Sequence, residues 1–179
     1  MRQYAVVLIK PDAVNDILDG LILQDIQNQT GATPIFRKFW KITEESVELI
    51  YPRWIDRPEF PSMVHNLTFG ESLLIVVSGE DDLYKSLRQV KGRTNVSGLR
   101  LKYRLRSNDE WKALGYSGES LRRRIGKNRL HTTDDFEETV KLCSLALTCR
   151  DLLELELTAA SLVSAIRRRK ALQTQINRP

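Results

Sequence analysis

The stretch LRRRIGKNRLHTTDD, from Leu121 to Asp135, combines a histidine with a group of cationic side chains. His131 is one of only two histidines in the chain. A neutral imidazole nitrogen can attack phosphorus as a nucleophile, and arginine carries a planar set of N–H donors that can bind two phosphate oxygens at once. The stretch therefore suggests phosphoryl transfer. Packing in a core and metal ligation are the other roles open to a lone histidine.

Positive charge is concentrated around this stretch. Residues 101–130 contain nine Lys or Arg residues and three acidic residues, a local charge of +6, whereas the whole chain carries +5. The rest of the chain is therefore close to neutral. A basic block beside a histidine indicates an anionic ligand, either nucleotide phosphates or nucleic acid. The other interpretation is a solvated loop in which the excess of arginine has no binding role.

The composition is typical of a folded domain with an appendage. The 179 residues are 41% hydrophobic and 28% charged, which favours a packed core and excludes global disorder. No apolar run approaches the roughly 18 residues of a membrane helix. The short apolar run near the N-terminus indicates a strand and not a signal peptide. Cys143 and Cys149 match neither a disulfide framework nor a metal site, so we expect a cytoplasmic protein.

Hydrophobic patterns divide the chain into strands and helices. Continuous apolar runs at 4–10 and 72–79 predict buried strands, and the alternation across 32–42 predicts a half-exposed strand. The last strand is predicted within 124–131, after a long polar segment at 93–124 that is interpreted as a loop. Helical spacing and acidic first turns predict the other elements. These are helices at 19–32, 43–54, 57–70, 81–92, 133–147 and 151–176, the fifth of them capped by Thr133 or Asp134.

The order of these elements favours an α+β fold. Strands and helices intermingle without the strict alternation of a doubly wound parallel sheet. We predict a ferredoxin-like βαββαβ arrangement, in which an antiparallel four-stranded sheet is covered by helices on one face, with an added C-terminal helix.

Four stretches form a recognisable pattern when they are taken in order. They are VVLIKPDAV, YPRWIDRPEFPSMVHNLTFG, LRQVKGRTNV and GKNRLHTTDD. Together they resemble the nucleoside diphosphate kinase family, in which the last stretch has the form Gly-Arg-Asn-x-x-His-Gly-Ser-Asp. The resemblance covers residues 4–147, which is most of the chain.

The resemblance implies a role for individual residues. His131 stands in the place of the nucleophile that accepts the phosphoryl group. Thr133 stands in the place of a hydroxyl residue that supports it. Arg100 is preferred to Arg104 and Arg106 as one of the phosphate-binding arginines. The implied nucleotide and phosphate contacts are Lys10, Tyr51, Phe60, Arg88, Thr94, Arg100 and Asn128.

The resemblance also implies the reaction. A phosphohistidine would carry the terminal phosphoryl group of a nucleoside triphosphate to a nucleoside diphosphate in a ping-pong cycle. Mg²⁺ would be bound through the nucleotide phosphates, with no dedicated protein metal site. The expected assembly is a homo-oligomer based on dimers, with a hexamer as one of its forms.

Several positions depart from the family pattern. Glu59 replaces an aromatic residue that stacks on the base. Arg53 replaces an acidic residue, so the partner that orients the histidine is expected to be missing. Leu142 falls near the position of a glutamate that partners the serine hydroxyl of the family motif, and Thr132 replaces a glycine. These departures keep an alternative open. A diverged domain with weak or no activity would bind nucleotide, nucleic acid or a protein partner, or would phosphorylate a specialised nucleotide acceptor.

The spacing suggests two additions to a domain at residues 1–150. Thr94 and His131 lie 37 positions apart, more than in ordinary family members, which indicates an insertion at about 104–124. Residues 151–179 form a helical extension whose apolar stripe could pack on its own domain or bind a partner.

Overall fold

A four-stranded antiparallel sheet lies at the centre of the protein in a computed structural model, which describes residues 1–93, 97–125 and 128–176. The strands lie in the order β2-β3-β1-β4. Every neighbouring pair is antiparallel. This is the order of a ferredoxin-like sheet, and the predicted α+β fold is confirmed. The strands are β1 (Gln3–Ile9), β2 (Thr33–Trp40), β3 (Ser72–Gly79) and β4 (Leu130–Thr132).

Helices connect and cover the strands, and a short 3-10 helix spans Pro52–Trp54. Four helices precede β3, namely α1 (Pro11–Asn15), α2 (Asp19–Thr30), α3 (Glu44–Ile50) and α4 (Phe60–Thr68). Between β3 and β4 lie α5 (Leu83–Lys91), α6 (Gly98–Lys102), α7 (Asn108–Ala113) and α8 (Gly118–Ile125). The chain continues through α9 (Phe136–Ala146) and α10 (Cys149–Ile176).

Helices cover both faces of the sheet, so the prediction of one covered face was wrong. Alternate side chains of β1 enter two separate hydrophobic clusters. Tyr4, Val6 and Leu8 pack with residues of α3, α4, α9 and α10. Ala5, Val7 and Ile9 pack with residues of α1, α2, α5 and α6. A strand buried on both faces has no polar side to show, which explains why its sequence is a continuous apolar run.

Polar side chains mark the residues at which helices α3 and α9 begin. The Thr43 hydroxyl accepts a hydrogen bond from the Ser46 N–H and caps α3. The Asp135 carboxylate accepts from the Glu138 N–H at 2.8 Å and caps α9. The predicted caps at Thr133 and Asp134 were therefore wrong by one or two residues. Asp135 has the extended backbone that an N-cap needs.

The polar segment predicted as a loop is folded around one tryptophan. Trp111 in α7 is only 8% exposed, and its ring meets the Tyr116 ring edge-on at 5.4 Å. The Arg124 guanidinium lies over both rings, 5.3 Å and 4.9 Å from their centroids, and Arg106 lies over Trp111 at 5.5 Å. Cation–π stacking thus closes a small core that contains few aliphatic residues.

Helix α8 joins the segment predicted to be an insertion to helix α4. The Ser62 hydroxyl donates to the Glu119 carboxylate, and the Asn66 amide donates to the Arg123 carbonyl at 2.9 Å. Both contacts connect α8 to α4, so the segment is docked on the domain.

Helix α10 packs on the domain that precedes it. Its buried residues Leu152, Leu155, Leu162 and Ile166 share one cluster with the residues of α9. The helix bends at Ala159, whose φ and ψ of −145° and 49° are not helical. The apolar stripe is therefore used within the chain, while the boundary at residues 150 and 151 stays a prediction. None of the described helices has the length and apolar character needed to cross a membrane.

Candidate active site

His131 lies in the middle of β4 with its side chain almost fully buried. It pairs with Leu8 of β1, so its side chain lies on the sheet face covered by α3, α4 and α9. Its Nε2 atom is 3.1 Å from the Glu138 Oε1 atom. The Tyr51 ring meets the imidazole edge-on, with 5.7 Å between centroids and 84° between planes. Among the described residues, Nδ1 has no hydrogen-bond partner.

Glu138 supplies the carboxylate that was expected to be missing. It lies in the first turn of α9, and its Oε2 atom accepts a hydrogen bond from the Asp134 N–H at 2.6 Å. The two positions where the family has acidic residues are occupied differently in this protein. Arg53 is exposed, and Leu142 is fully buried in the core. The expectation that His131 lacks an orienting acid was therefore wrong. The signal in the sequence was Asp135-x-x-Glu138, which resembles a capping box and brings the glutamate back to the start of the helix.

The surroundings of His131 favour the neutral imidazole. Burial lowers the pKa of His131, the Glu138 carboxylate raises it in part, and the charges of Lys91 and Lys10 lower it further. Burial acts to raise the pKa of Glu138, but the hydrogen bond and charge of His131, the hydrogen bond from the Asp134 N–H and the charge of Lys91 together outweigh it, and the net pKa is lowered. An ionised carboxylate at Nε2 favours the tautomer with the proton on Nε2. The lone pair is then on Nδ1, where a nucleophile needs it.

Two predicted cations lie along the backbone that leads into His131. The Lys10 ammonium donates to the Asn128 Oδ1 atom at 2.6 Å. The Arg100 guanidinium donates twice to the Leu130 carbonyl, at 3.2 Å and 3.1 Å. Burial, followed by the Arg100 charge, lowers the pKa of Lys10 to about 8. Lys10, Arg100 and Asn128 are thus brought to the histidine strand, as predicted from widely separated motifs.

A second pair of cations converges on Asp134. Arg88 Nε and Lys91 Nζ each lie 3.4 Å from its Oδ1 atom, and Lys91 also donates to the Thr132 carbonyl at 3.2 Å. Arg88 was predicted, whereas Lys91 was missed because a lysine at a helix end is usually solvated. Here it is only 7% exposed, and it lies one turn after Arg88 on α5.

For the other predicted residues, the structure gives contacts outside the immediate surroundings of His131 or no description. The Thr133 hydroxyl accepts from the Val6 N–H at 2.9 Å and pairs with the Thr139 hydroxyl, which ties β4 to β1 and α9. Phe60 is buried in the hydrophobic core at the start of α4. Thr94 lies outside the described residues. Binding roles for these residues stay predictions.

A buried neutral histidine beside lysine and arginine, carried by a ferredoxin-like sheet, defines a phosphotransferase class of site. The family model described as nucleoside diphosphate kinase matches residues 3–151. A nucleoside diphosphate kinase of Wolbachia sp. subsp. Drosophila simulans is 30% identical over 134 residues, which cover 75% of this chain and 86% of that protein. The chain belongs to the nucleoside diphosphate kinase family, and it is therefore a nucleotide phosphotransferase.

Solved structures agree on the fold. The nucleoside diphosphate kinase of Borrelia burgdorferi, a transition-state mimic with bound vanadate and ADP, matches with a TM-score of 0.65 at 15% identity, over 84% of this chain and 89% of that one. The Halobacterium salinarum enzyme in complex with CDP matches with a TM-score of 0.62 at 23% identity, over 91% of this chain and 99% of that one.

Proposed function

We propose that the protein transfers the terminal phosphoryl group of a nucleoside triphosphate to a nucleoside diphosphate, with His131 as the covalent carrier. The observation that supports this most is the Nε2–Glu138 contact of 3.1 Å, which fixes the buried ring and leaves Nδ1 available as the nucleophilic atom. The transfer occurs in two half-reactions at one site, as a ping-pong cycle.

Each half-reaction exchanges one bond at phosphorus. The Nδ1 lone pair attacks the γ-phosphorus, the N–P bond forms, and the bond to the β,γ-bridging oxygen breaks to release the diphosphate. A terminal oxygen of the acceptor diphosphate then attacks the phosphohistidine, and the N–P bond breaks. Positive charge develops on the ring while the N–P bond exists, and the Glu138 carboxylate stabilises it through Nε2–H.

The cations position the phosphates and stabilise their charge. Phosphoryl transfer requires mainly alignment and stabilisation of charge on the phosphoryl oxygens. Lys10 and Arg100 would bind phosphate oxygens near His131, and Arg88 would bind from α5, where it now lies beside Asp134. Asn128 would bind the sugar or a nearby phosphate oxygen. Tyr51, edge-on to the imidazole, helps to hold the ring.

We propose that Mg²⁺ arrives with the nucleotide and would be bound through its phosphates, where it would neutralise part of their charge. The described residues contain no group of three or more His, Cys, Asp or Glu side chains that could hold an ion.

We also propose a cytoplasmic homo-oligomer based on dimers. Both cysteines are free, which agrees with a reducing compartment. Several apolar side chains are about half exposed, which suits a contact between copies of the chain. They are Leu49, Trp54 and Ile55 near the 3-10 helix, and Phe39 on β2.

The alternative of a nucleic-acid-binding domain finds no support in the inserted segment. Arg122 and Arg123 pair with Glu119, and Arg106 and Arg124 stack on Trp111. Their contacts are internal to the segment.

A labelling experiment tests the proposal. The protein is incubated with ATP labelled at the γ-phosphate, beside the variants His131→Ala and His65→Ala. We expect an acid-labile, base-stable phosphoprotein in the wild type and in His65→Ala, and none in His131→Ala. Chasing the label with a panel of unlabelled diphosphates then identifies the acceptor. Label that persists in His131→Ala, or a wild type that takes up no label, would refute the nucleophile.

A further inference from the structure

Arg129 is a fully buried arginine between two residues of the active site. It is 1% exposed, and it separates Asn128, which contacts Lys10, from the strand that carries His131. No function was expected of this position. Arginine is rarely buried unless its guanidinium group is paired, so its contacts indicate what it does.

The backbone at Arg129 has an unusual conformation. Its φ is 67°, in the left-handed region that residues with a side chain rarely adopt. The Leu130 N–H donates to the Asn128 carbonyl at 2.8 Å across this residue, which makes a tight three-residue turn. The turn places Asn128 beside Lys10 and starts β4, so that His131 faces Glu138. Strained conformations of this kind persist where the surrounding contacts hold them, often at functional sites.

The Arg129 side chain supplies such contacts. Its Nη1 atom donates to the Asp12 carbonyl and lies 2.7 Å from the Asp16 carboxylate. The Asp12 carboxylate lies 3.8 Å from Nε. The Arg129 carbonyl in turn accepts from the Lys10 N–H at 2.8 Å. The turn is thereby fastened to the segment that carries Lys10.

The same guanidinium group also reaches the start of the inserted segment. Arg129 Nε donates to the Tyr103 carbonyl at 2.9 Å, across 26 positions of sequence. Tyr103 directly precedes the insertion and Arg129 closely follows it. One side chain therefore closes the base of the predicted insertion and holds it against helix α1.

We propose that Arg129 is a positioning residue for phosphoryl transfer, which fixes the turn that sets Asn128 and His131 in their working geometry. It touches no reacting atom. It makes the segment that begins after Tyr103 end at a fixed point beside the nucleophile. The kinetic consequence rests on the proposed function, whereas the positioning itself can be observed without turnover.

Three variants distinguish the effect of the Arg129 side chain from that of the backbone turn. Arg129→Gly removes the anchor but adopts a positive φ readily. Arg129→Lys keeps the charge and loses the planar fork. Asp16→Asn weakens the ion pair of Arg129 with a half-exposed partner. It is the mildest of the three changes, so it should give a folded protein even if the two Arg129 variants unfold. Arg167→Lys is the matched control, since Arg167 forms a two-point contact with Glu156 on the exposed side of α10.

Two measurements are made on each folded variant. Imidazole NMR signals report the setting of the ring, and the chain has only two histidines, so His65 on α4 serves as an internal reference. Steady-state kinetics report kcat and KM. We expect the His131 signals, but not those of His65, to shift in both Arg129 variants. Misplacement of reacting groups by about 1 Å can lower rates by about 100-fold, so kcat should fall by about 10-fold to 100-fold.

The outcomes separate positioning from simple stability. A shifted His131 signal with lowered kcat supports the proposal, with Asp16→Asn intermediate and Arg167→Lys unchanged. If the His131 signals shift in the Arg129 variants but the wild type proves unable to transfer phosphate, the positioning is supported and the proposed function alone is refuted. Variants that melt at lower temperature yet keep the wild-type His131 signals and kcat would show that Arg129 has a structural role only, and would overturn it.

Discussion

Replacing Lys10 with methionine should stabilise the protein at neutral pH and remove most of its activity. The Lys10 side chain is buried, and its ammonium group has the Asn128 amide oxygen as a partner at 2.6 Å. Burial, with the nearby charge of Arg100, lowers the pKa of Lys10 to about 8. A charged group held where its charge is disfavoured is typical of a site that needs the charge for function.

The size of the effect follows from the pKa. A fall from 10.5 to about 8 corresponds to about 3 kcal/mol of free energy that favours the uncharged side chain in the folded state. Methionine has a similar length and carries no charge. Loss of the hydrogen bond to Asn128 offsets about 1 kcal/mol. We therefore expect Lys10→Met to be more stable than the wild type by about 2 kcal/mol at pH 7.

The sign of the pH dependence follows from proton binding. Between pH 8 and 10.5 the unfolded chain holds the Lys10 proton while the folded chain has released it. The free energy of unfolding of the wild type therefore rises with pH across this window, by about 3 kcal/mol from this group. Below pH 8, Lys10 is protonated in both the folded and the unfolded chain, so it adds no pH dependence to the free energy of unfolding. The advantage of Lys10→Met should accordingly be largest below pH 8 and disappear by pH 10.5.

Paired urea unfolding curves at pH 7 and pH 10.5 measure this difference, because contributions from other groups cancel between the two proteins. The activity assay is complementary. The pH profile of kcat/KM should fall above about pH 8 in the wild type, and Lys10→Arg should lack this fall because a guanidinium stays charged. A stability difference that does not change with pH, or an equal basic limb in Lys10→Arg, would refute the reasoning.

Two further predictions concern Glu138 and Trp111. Glu138→Gln should lower the rate of His131 phosphorylation by about 10-fold or more in rapid-quench experiments, with little change in KM, since hydrogen bonds to charged groups contribute about 1.5–3 kcal/mol; an unchanged rate would rule out its orienting role. Trp111→Ala should lower the free energy of unfolding by about 3 kcal/mol and expose the insertion to early proteolysis, because it empties a small core. Leu114→Ala, at an exposed position of the same segment, is the control and should do neither.

The fold was predictable where a sequence pattern is typical of a single kind of element. Continuous apolar runs at β1 and β3 predicted buried strands, and those predictions are confirmed. The number of covered faces was misjudged, because the run that signals a buried strand does not reveal which helices cover each side. The folded structure of the polar segment was not predictable for a different reason. Its core consists of Trp111 and stacked arginines, which leave no apolar periodicity to detect.

The site was predictable only for residues inside recognisable motifs. Lys10, Arg100 and Asn128 are brought to the histidine strand as expected. Lys91 and Arg129 could not be found in this way, because their contribution depends on burial and on contacts distant in the sequence. For Arg129 the relevant feature is a positive φ, and no neighbouring residue type indicates that conformation.

The start of α9 is a more favourable place for an orienting carboxylate than the next turn of the same helix. Leu142 lies one turn later on α9 and is fully buried in the core, so a carboxylate there would have to be desolvated among apolar side chains. Glu138 lies in the first turn, where the helix dipole favours negative charge and the Asp134 N–H donates to it. A first-turn glutamate therefore stays ionised despite partial burial, and its lowered pKa agrees. The proposed reaction uses an anion at Nε2, and the start of α9 provides it at a smaller desolvation cost than the core would.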